Sequence, residues 1–146
     1  MNTVTVSRTV DASPETVRDA MRDIEPFVRS AGFDAVAVDG ETVRVANDVD
    51  PASVELTLEL VEDPDADLAY EQREGIFESM RTEYAVTSTA DGSEVTAATT
   101  FALDVALVGD LLDATVIERQ RRAELSAQFD WLEGRCESDG RGEGST

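Results

Sequence analysis

The chain contains no histidine and no lysine, and it has one cysteine in 146 residues. Each absence removes a class of chemistry. Without histidine there is no Ser-His-Asp triad, no Cys-His dyad and no imidazole metal ligand. Without lysine there is neither a Schiff base nor a Walker-type phosphate loop, and no GxGxxG is present. The lone Cys136 excludes an internal disulfide and a cysteine-based metal cluster. No run approaches 18 continuous apolar residues, so no membrane span is expected. Met1–Val6 lacks a basic stretch followed by an apolar one, so no signal peptide is expected, and a cytoplasmic protein is. What remains for catalysis is acid–base work by carboxylates or tyrosines, with arginine as an electrostatic partner.

What is abundant is negative charge. Thirty-two acidic residues face 12 basic ones, all arginine, for a formal net charge of −20. Such a charge repels itself and opposes the compact state. At molar salt the Debye length is only about 3 Å, so that repulsion is largely screened. Because the acids run along the whole chain and not in one block, they point to a halophilic cytoplasm and not to one acidic docking face. Nucleic acid is excluded as a partner, since phosphate contact needs a basic stripe. Only Arg119, Arg121 and Arg122 cluster, and these are read as a solvated helix surface.

A hydrophobic content of 41% is that of a globular chain, and the length is that of one domain, expected over residues 1–134, with a disordered, acidic, Gly- and Ser-containing tail over 135–146. Period-two alternation marks strands: Val4, Val6, Arg8 and Val10; Val54, Leu56, Leu58 and Leu60; Met80, Thr82, Tyr84 and Val86; Val95, Ala97, Thr99, Phe101 and Leu103. Asp39-Gly40 and Asp91-Gly92 are hairpin signals. Ser13-Pro14-Glu15 has an N-cap, a proline suited to the first helical position and an acid for the positive helix end. Val17, Ala20, Met21 and Ile24 follow at helical spacing, and Pro26 ends or restarts that helix. From about Val108 to Leu132 the pattern is helical again, with Leu112, Val116, Ala123, Ala127 and Trp131 on one face and Leu111, Leu125, Phe129 and Leu132 on a second. The expected fold is α+β of helix-grip type: a curved seven-stranded antiparallel sheet, two short helices after strand 1, and a long C-terminal helix across the concave face. A cone that leads with its helix fits less well, because this chain leads with a strand.

The segment Val10-Asp11-Ala12-Ser13-Pro14-Glu15-Thr16-Val17, with Met21, Asp23 and Pro26-Phe27 after it, resembles the first-helix region of the SRPBCC superfamily. These are the START-like, birch-pollen-allergen-like proteins that include polyketide cyclase types. The likeness of layout spans roughly residues 3–133. Two features depart from the pattern: Arg18 stands where members often carry an aromatic, and the Gly-rich loop of plant members is replaced by Asp39-Gly40 alone. The resemblance implies a cavity for a hydrophobic small molecule or lipid, no cofactor and no universal catalytic residue.

Candidate wall residues for such a cavity are Phe27, Leu56, Leu58, Tyr70, Met80, Tyr84, Phe101, Leu112 and Val116, each of which also suits a plain core. The one catalytic set that can be drawn is Glu74 with Tyr84, on the expectation that Tyr70, Gln72 and Glu74 share an inward strand face; the competing reading leaves Glu74 in solvent. Asp63, Asp65, Asp67 and Glu74 have calcium-loop spacing, but Leu68 stands where the sharp turn needs glycine, so this stretch is read as a charged hairpin turn and no metal is assigned. Arg73, Arg81 and Arg119 are read as members of surface ion pairs before anion ligands. Ligand binding comes first among the functions, a cyclase- or dehydratase-type enzyme and a ligand-free protein adaptor after it.

Overall fold

A computed structural model of the chain describes residues 2–49, 52–103 and 114–144, with side chains at 2–47, 55–103 and 115–137. Strand β1 (Asn2–Val10) leads into helices α1 (Pro14–Arg22) and α2 (Ile24–Arg29). Six strands follow: β2 (Ala35–Asp39), β3 (Thr42–Val49), β4 (Ala52–Leu60), β5 (Leu68–Glu74), β6 (Phe77–Thr89) and β7 (Gly92–Leu103). Helix α3 (Ala114–Gly144) closes the chain. All neighbouring strands are antiparallel, in the order β1-β7-β6-β5-β4-β3-β2. Strands β2 to β7 form a meander, and α1 and α2 carry the chain from one sheet edge to the other.

Local chemistry explains the short helices. Ser13 is extended, and its hydroxyl accepts from the Thr16 N–H at 3.3 Å, which satisfies a donor orphaned at the helix start. The break between α1 and α2 falls at Asp23, not at Pro26. Pro26 sits in the first turn of α2, where its missing N–H has no intrahelical partner to lose. Val17, Ala20, Met21, Phe27 and Val28 are buried. Arg18, at the position that departs from the family pattern, bonds Asp67 at 2.8 Å and the Val86 carbonyl at 2.9 Å, clamping α1 to the sheet.

Both glycine hairpins turn one residue away from the expected centre. Asp39 pairs with Thr42 and Thr89 with Gly92, so the loop residues are Gly40-Glu41 and Ala90-Asp91. Two bulges matter more. Thr57 pairs with Glu74 but Leu58 with Gln72, leaving Arg73 as an extra residue in β5. Phe77 pairs with Leu103 but Ser79 with Ala102, leaving Glu78 extra in β6. Each extra residue breaks the period-two alternation and bends its strand.

The inner sheet face carries Val43, Val45, Leu56, Leu58, Tyr70, Met80, Tyr84, Val86, Val95, Ala97 and Phe101, all buried. Helix α3 covers it with Ile117, Leu125, Phe129, Leu132 and Cys136. The second expected stripe is therefore the inner one: Leu125 is 1% exposed, whereas Val116 is 47% exposed. Leu111, Leu112 and the helix start expected near Val108 lie outside the described residues, as does the Val54 side chain. Helix α3 does not end at Gly134. It runs on to Gly144, and the buried Cys136 lies inside the stretch expected to be a tail.

Ion pairs lace the outside. Arg8 joins β1 to α3 through Asp130 at 2.7 Å and Glu133 at 3.2 Å. Arg81 gathers Asp63, Glu71 and Glu83. The Asp65 N–H and then Arg81 hold the Asp63 carboxyl below its usual range. Asp63 and Asp67 thus spend their oxygens on protein donors, and the charged-turn reading of this stretch fits that use. Among the described residues, no helix is long and apolar enough to cross a membrane.

Candidate functional site

The space between sheet and helix divides into two halves. Toward the C-terminal half of α3 it is filled. Phe27 meets the Tyr84 ring edge-on at 5.1 Å and Trp131 at 6.0 Å, and Tyr70 lies 6.0 Å from Tyr84. Phe129 and Leu132 close the layer, each 0% exposed. Toward the N-terminal half of α3 the space is open, as a cavity of about 450 Å³. Its walls come from β3 and β4 (Val45, Asn47, Leu56), the β5–β6 turn (Ile76, Phe77), the α2–β2 connection (Gly32, Phe33, Asp34) and α3 (Val116, Ile117, Gln120, Arg121, Glu124).

The β5–β6 turn is positioned by Gln72. Its side-chain amide donates to the Phe77 carbonyl at 2.8 Å and accepts from the Phe77 N–H at 3.1 Å. Gly75, at φ +154, occupies a conformation few side chains adopt, and a Cβ there would sit 2.3 Å from a Leu56 methyl. The turn can therefore close tightly beside Leu56. The bulge at Glu78 then points Phe77 inward, 5.4 Å from the Phe101 ring, and makes it a wall of the cavity.

The polar part of the interior lies on one face of α3. Arg121, Glu124 and Gln128 occur at i, i+3 and i+7, and all are buried, at 5%, 6% and 1% exposure. The guanidinium of Arg121 donates from Nη1 to Glu124. From Nη2 it donates to the hydroxyls of Thr82 and Thr99, each at 3.0 Å. Those two threonines face each other across β6 and β7 and bond at 2.9 Å. Burial opposes the charged form of Arg121 and the paired Glu124 carboxylate favours it; the pKa is raised, and the group is a fixed cation. Deeper along the helix, Tyr84 donates to Gln128 at 2.6 Å, leaving the Tyr70 hydroxyl to donate to Tyr84 at 3.0 Å. Burial, and then Tyr70, push the Tyr84 phenol well above its ordinary value, so it stays neutral.

Of the expected wall residues, Leu56 and Val116 line the cavity. Phe27, Leu58, Tyr70, Met80, Tyr84 and Phe101 are buried in the packed layer beside it, and Leu112 lies outside the described residues. Glu74 and Tyr84 are not brought together. The extra residue Arg73 ends the alternation that put Glu74 on the face of Tyr70, and Glu74 is exposed while Tyr84 is fully buried. Arg73 pairs with Glu59 and Glu71 at the surface, and Arg119 is exposed.

The solvated reading of the arginine cluster fails for Arg121, which turns inward between Ile117 and Leu125. A signal for this was present: Ile117, Arg121, Glu124, Gln128 and Leu132 follow one heptad-like stripe in which the polar residues occupy core positions.

Several solved structures share this architecture. TTHA0849 from Thermus thermophilus superposes with a TM-score of 0.76 at 19% identity, covering 94% of this chain and 99% of that one. A START superfamily protein from Mycobacterium smegmatis gives 0.70 at 15% identity, with 93% and 97% covered. The Zhui aromatase/cyclase from Streptomyces sp. R1128 gives 0.71 at 21% identity, with 92% and 94% covered. At these identities the likeness is one of fold. No curated protein matches the sequence. Residues 1–137 match the family described as polyketide cyclase / dehydrase and lipid transport. The chain, with its seven-stranded sheet gripped around a C-terminal helix, belongs to that family, within the START-like SRPBCC superfamily.

Proposed function

We propose that this protein binds a hydrophobic small molecule or lipid in the cavity between its curved sheet and the N-terminal half of α3. The observation that carries the reading is the cavity itself. At about 450 Å³ it falls in the range of small-molecule sites, and Val45, Leu56, Ile76, Phe77, Val116 and Ile117 give it apolar walls beside a few convergent polar groups. The family's description, which joins cyclase chemistry to lipid transport, supports the same kind of ligand.

The enzyme reading through Glu74 and Tyr84 has no support from their positions, one in solvent and the other sealed in the core. The adaptor reading needs a broad exposed apolar patch. Among the described residues the large exposed apolar side chains are Val38 and Val116, and Val116 belongs to the cavity. The net charge of −20 supports a working environment of high salt, as in a halophilic cytoplasm.

Native mass spectrometry of protein purified from high-salt cells tests the binding reading. A reproducible adduct that organic extraction removes is the expected result. An apo mass, together with no change in the fluorescence of an added naphthalene probe, would overturn it.

A further inference from the structure

Among the described residues, the charged side chains in the cavity wall are Asp34, Arg121 and Glu124. Arg121 is the cation of the set, and its charge is already answered inside the protein. Its Nη1 donates to Glu124, and its Nη2 to Thr82 and Thr99. Both members of the ion pair are buried, at 5% and 6% exposure. The second carboxylate oxygen of Glu124 accepts from Gln120 at 3.3 Å, which fixes the acid in place. The third charged residue, Asp34, is an acid. The other polar side chains of the wall, Asn47 and Gln120, are uncharged amides. The neighbouring stretches of sequence, 48–54 and 104–113, contain Asp48, Asp50, Asp104, Asp110 and Asp113 and no arginine.

A ligand entering this space leaves its water behind. A carboxylate or phosphate would lose its hydration and meet no uncompensated cation, because Glu124 already holds the place of the counter-ion. A neutral molecule bears no such cost, and the guanidinium stays where it is, with its bonds to Glu124, Thr82 and Thr99 intact. Resting on the proposal that the cavity binds an apolar ligand, we infer that Glu124 is the specificity-determining residue of that site: by occupying Arg121 from within, it restricts the cavity to neutral lipophilic molecules and excludes carboxylates and phosphates.

Naphthoate and its methyl ester share one apolar body and differ in charge, so fluorescence titration of both in molar salt tests this. At that salt the exposed charge of the chain is screened and the buried pair much less so. Wild type is expected to bind the ester about tenfold or more tightly than naphthoate. In Glu124→Gln, which keeps an acceptor for Arg121 but frees its charge, naphthoate should gain about tenfold while the ester is unchanged. Glu94→Gln makes the same change of charge at an exposed position and should move neither probe. R121M/E124L removes both charges together and leaves neither buried alone, so the ratio of the two affinities should stay at its wild-type value. Naphthoate binding wild type as tightly as the ester would overturn the inference, as would a folded E124Q variant that gains no naphthoate affinity. A collapse of naphthoate binding in the double variant would also overturn it, since Arg121 would then be attracting anions in wild type; that comparison stands even where E124Q does not fold. If neither probe binds wild type, the binding reading falls, and this inference with it.

Discussion

Tyr84 on β6 donates its phenolic hydrogen to the side-chain carbonyl of Gln128 on α3 at 2.6 Å, in a layer where both residues are at most 1% exposed. Gln128 in turn donates to the Phe27 carbonyl at 3.3 Å. One amide thus fastens the long helix to the sheet and to the short helix α2. Removing either end strands a buried polar group. Gln128→Leu and Tyr84→Phe are each expected to cost about 1–3 kcal/mol, and the double variant less than their sum. Chemical denaturation at molar salt, run as a double-mutant cycle, checks the coupling. Strict additivity would mean that the bond contributes nothing.

The same tyrosine sets an alkaline limit. Its folded-state pKa is raised, chiefly by burial, above the value of about 10 that it has in the unfolded chain. The folded state therefore holds a proton that the unfolded chain releases. The contribution of Tyr84 is fully present below about pH 10 and is lost as pH rises through the folded-state pKa. Stability should fall above about pH 10 in wild type and fall less steeply in Tyr84→Phe. Denaturation midpoints across that range, with phenolate absorbance as a second readout, decide it.

The Arg121–Glu124 pair should behave asymmetrically. Arg121→Met alone leaves a carboxylate buried without its cation, and a loss of about 3–5 kcal/mol is expected. The double variant R121M/E124L replaces the pair by apolar side chains of similar size and is expected to lie near wild-type stability. Urea midpoints of the single and double variants make the comparison. A double variant as unstable as the single would show that the threonine bonds, not the ion pair, organise this region.

The filled and open halves of the interior should respond in opposite ways. Phe27→Ala opens a hole in packed aromatics and is expected to cost about 3–5 kcal/mol. Val116 is 47% exposed at the cavity, so Val116→Asp should change stability by less than about 0.5 kcal/mol. It should nonetheless weaken binding of an apolar probe severalfold. Thermal melts paired with ethylnaphthalene titration separate the two effects.

Salt should govern the whole molecule. With 32 acids and 12 arginines, many of the latter already paired across the surface, the residual charge repels itself. The melting temperature is expected to rise steadily toward molar salt, with unfolding below roughly 0.5 M as the screening fades. A melting temperature that is flat or falling over this range would refute a high-salt design.

The residues by themselves determine a good deal here. Strict alternation along Val4–Val10, Leu56–Leu60, Met80–Val86 and Val95–Phe101 specifies strands and their inner faces, because a side chain in a strand can point only one of two ways. Ser13-Pro14 specifies a helix start, since cap and proline chemistry are local. Missing histidine and lysine rule out whole mechanisms wherever the chain folds. The site was not legible in the same way. A bulge is a property of two paired strands, so nothing within Gln72-Arg73-Glu74 by itself announced that Arg73 would be extra and that Glu74 would turn to solvent. Which stripe of α3 faces inward depends on what lies opposite. Arg121 is tolerated in the core because Thr82 and Thr99, on two other strands, present hydroxyls to it, and because Glu124 neutralises it one turn along. Only the tertiary structure brings those donors and acceptors together, and only it leaves one half of the grip filled and the other open.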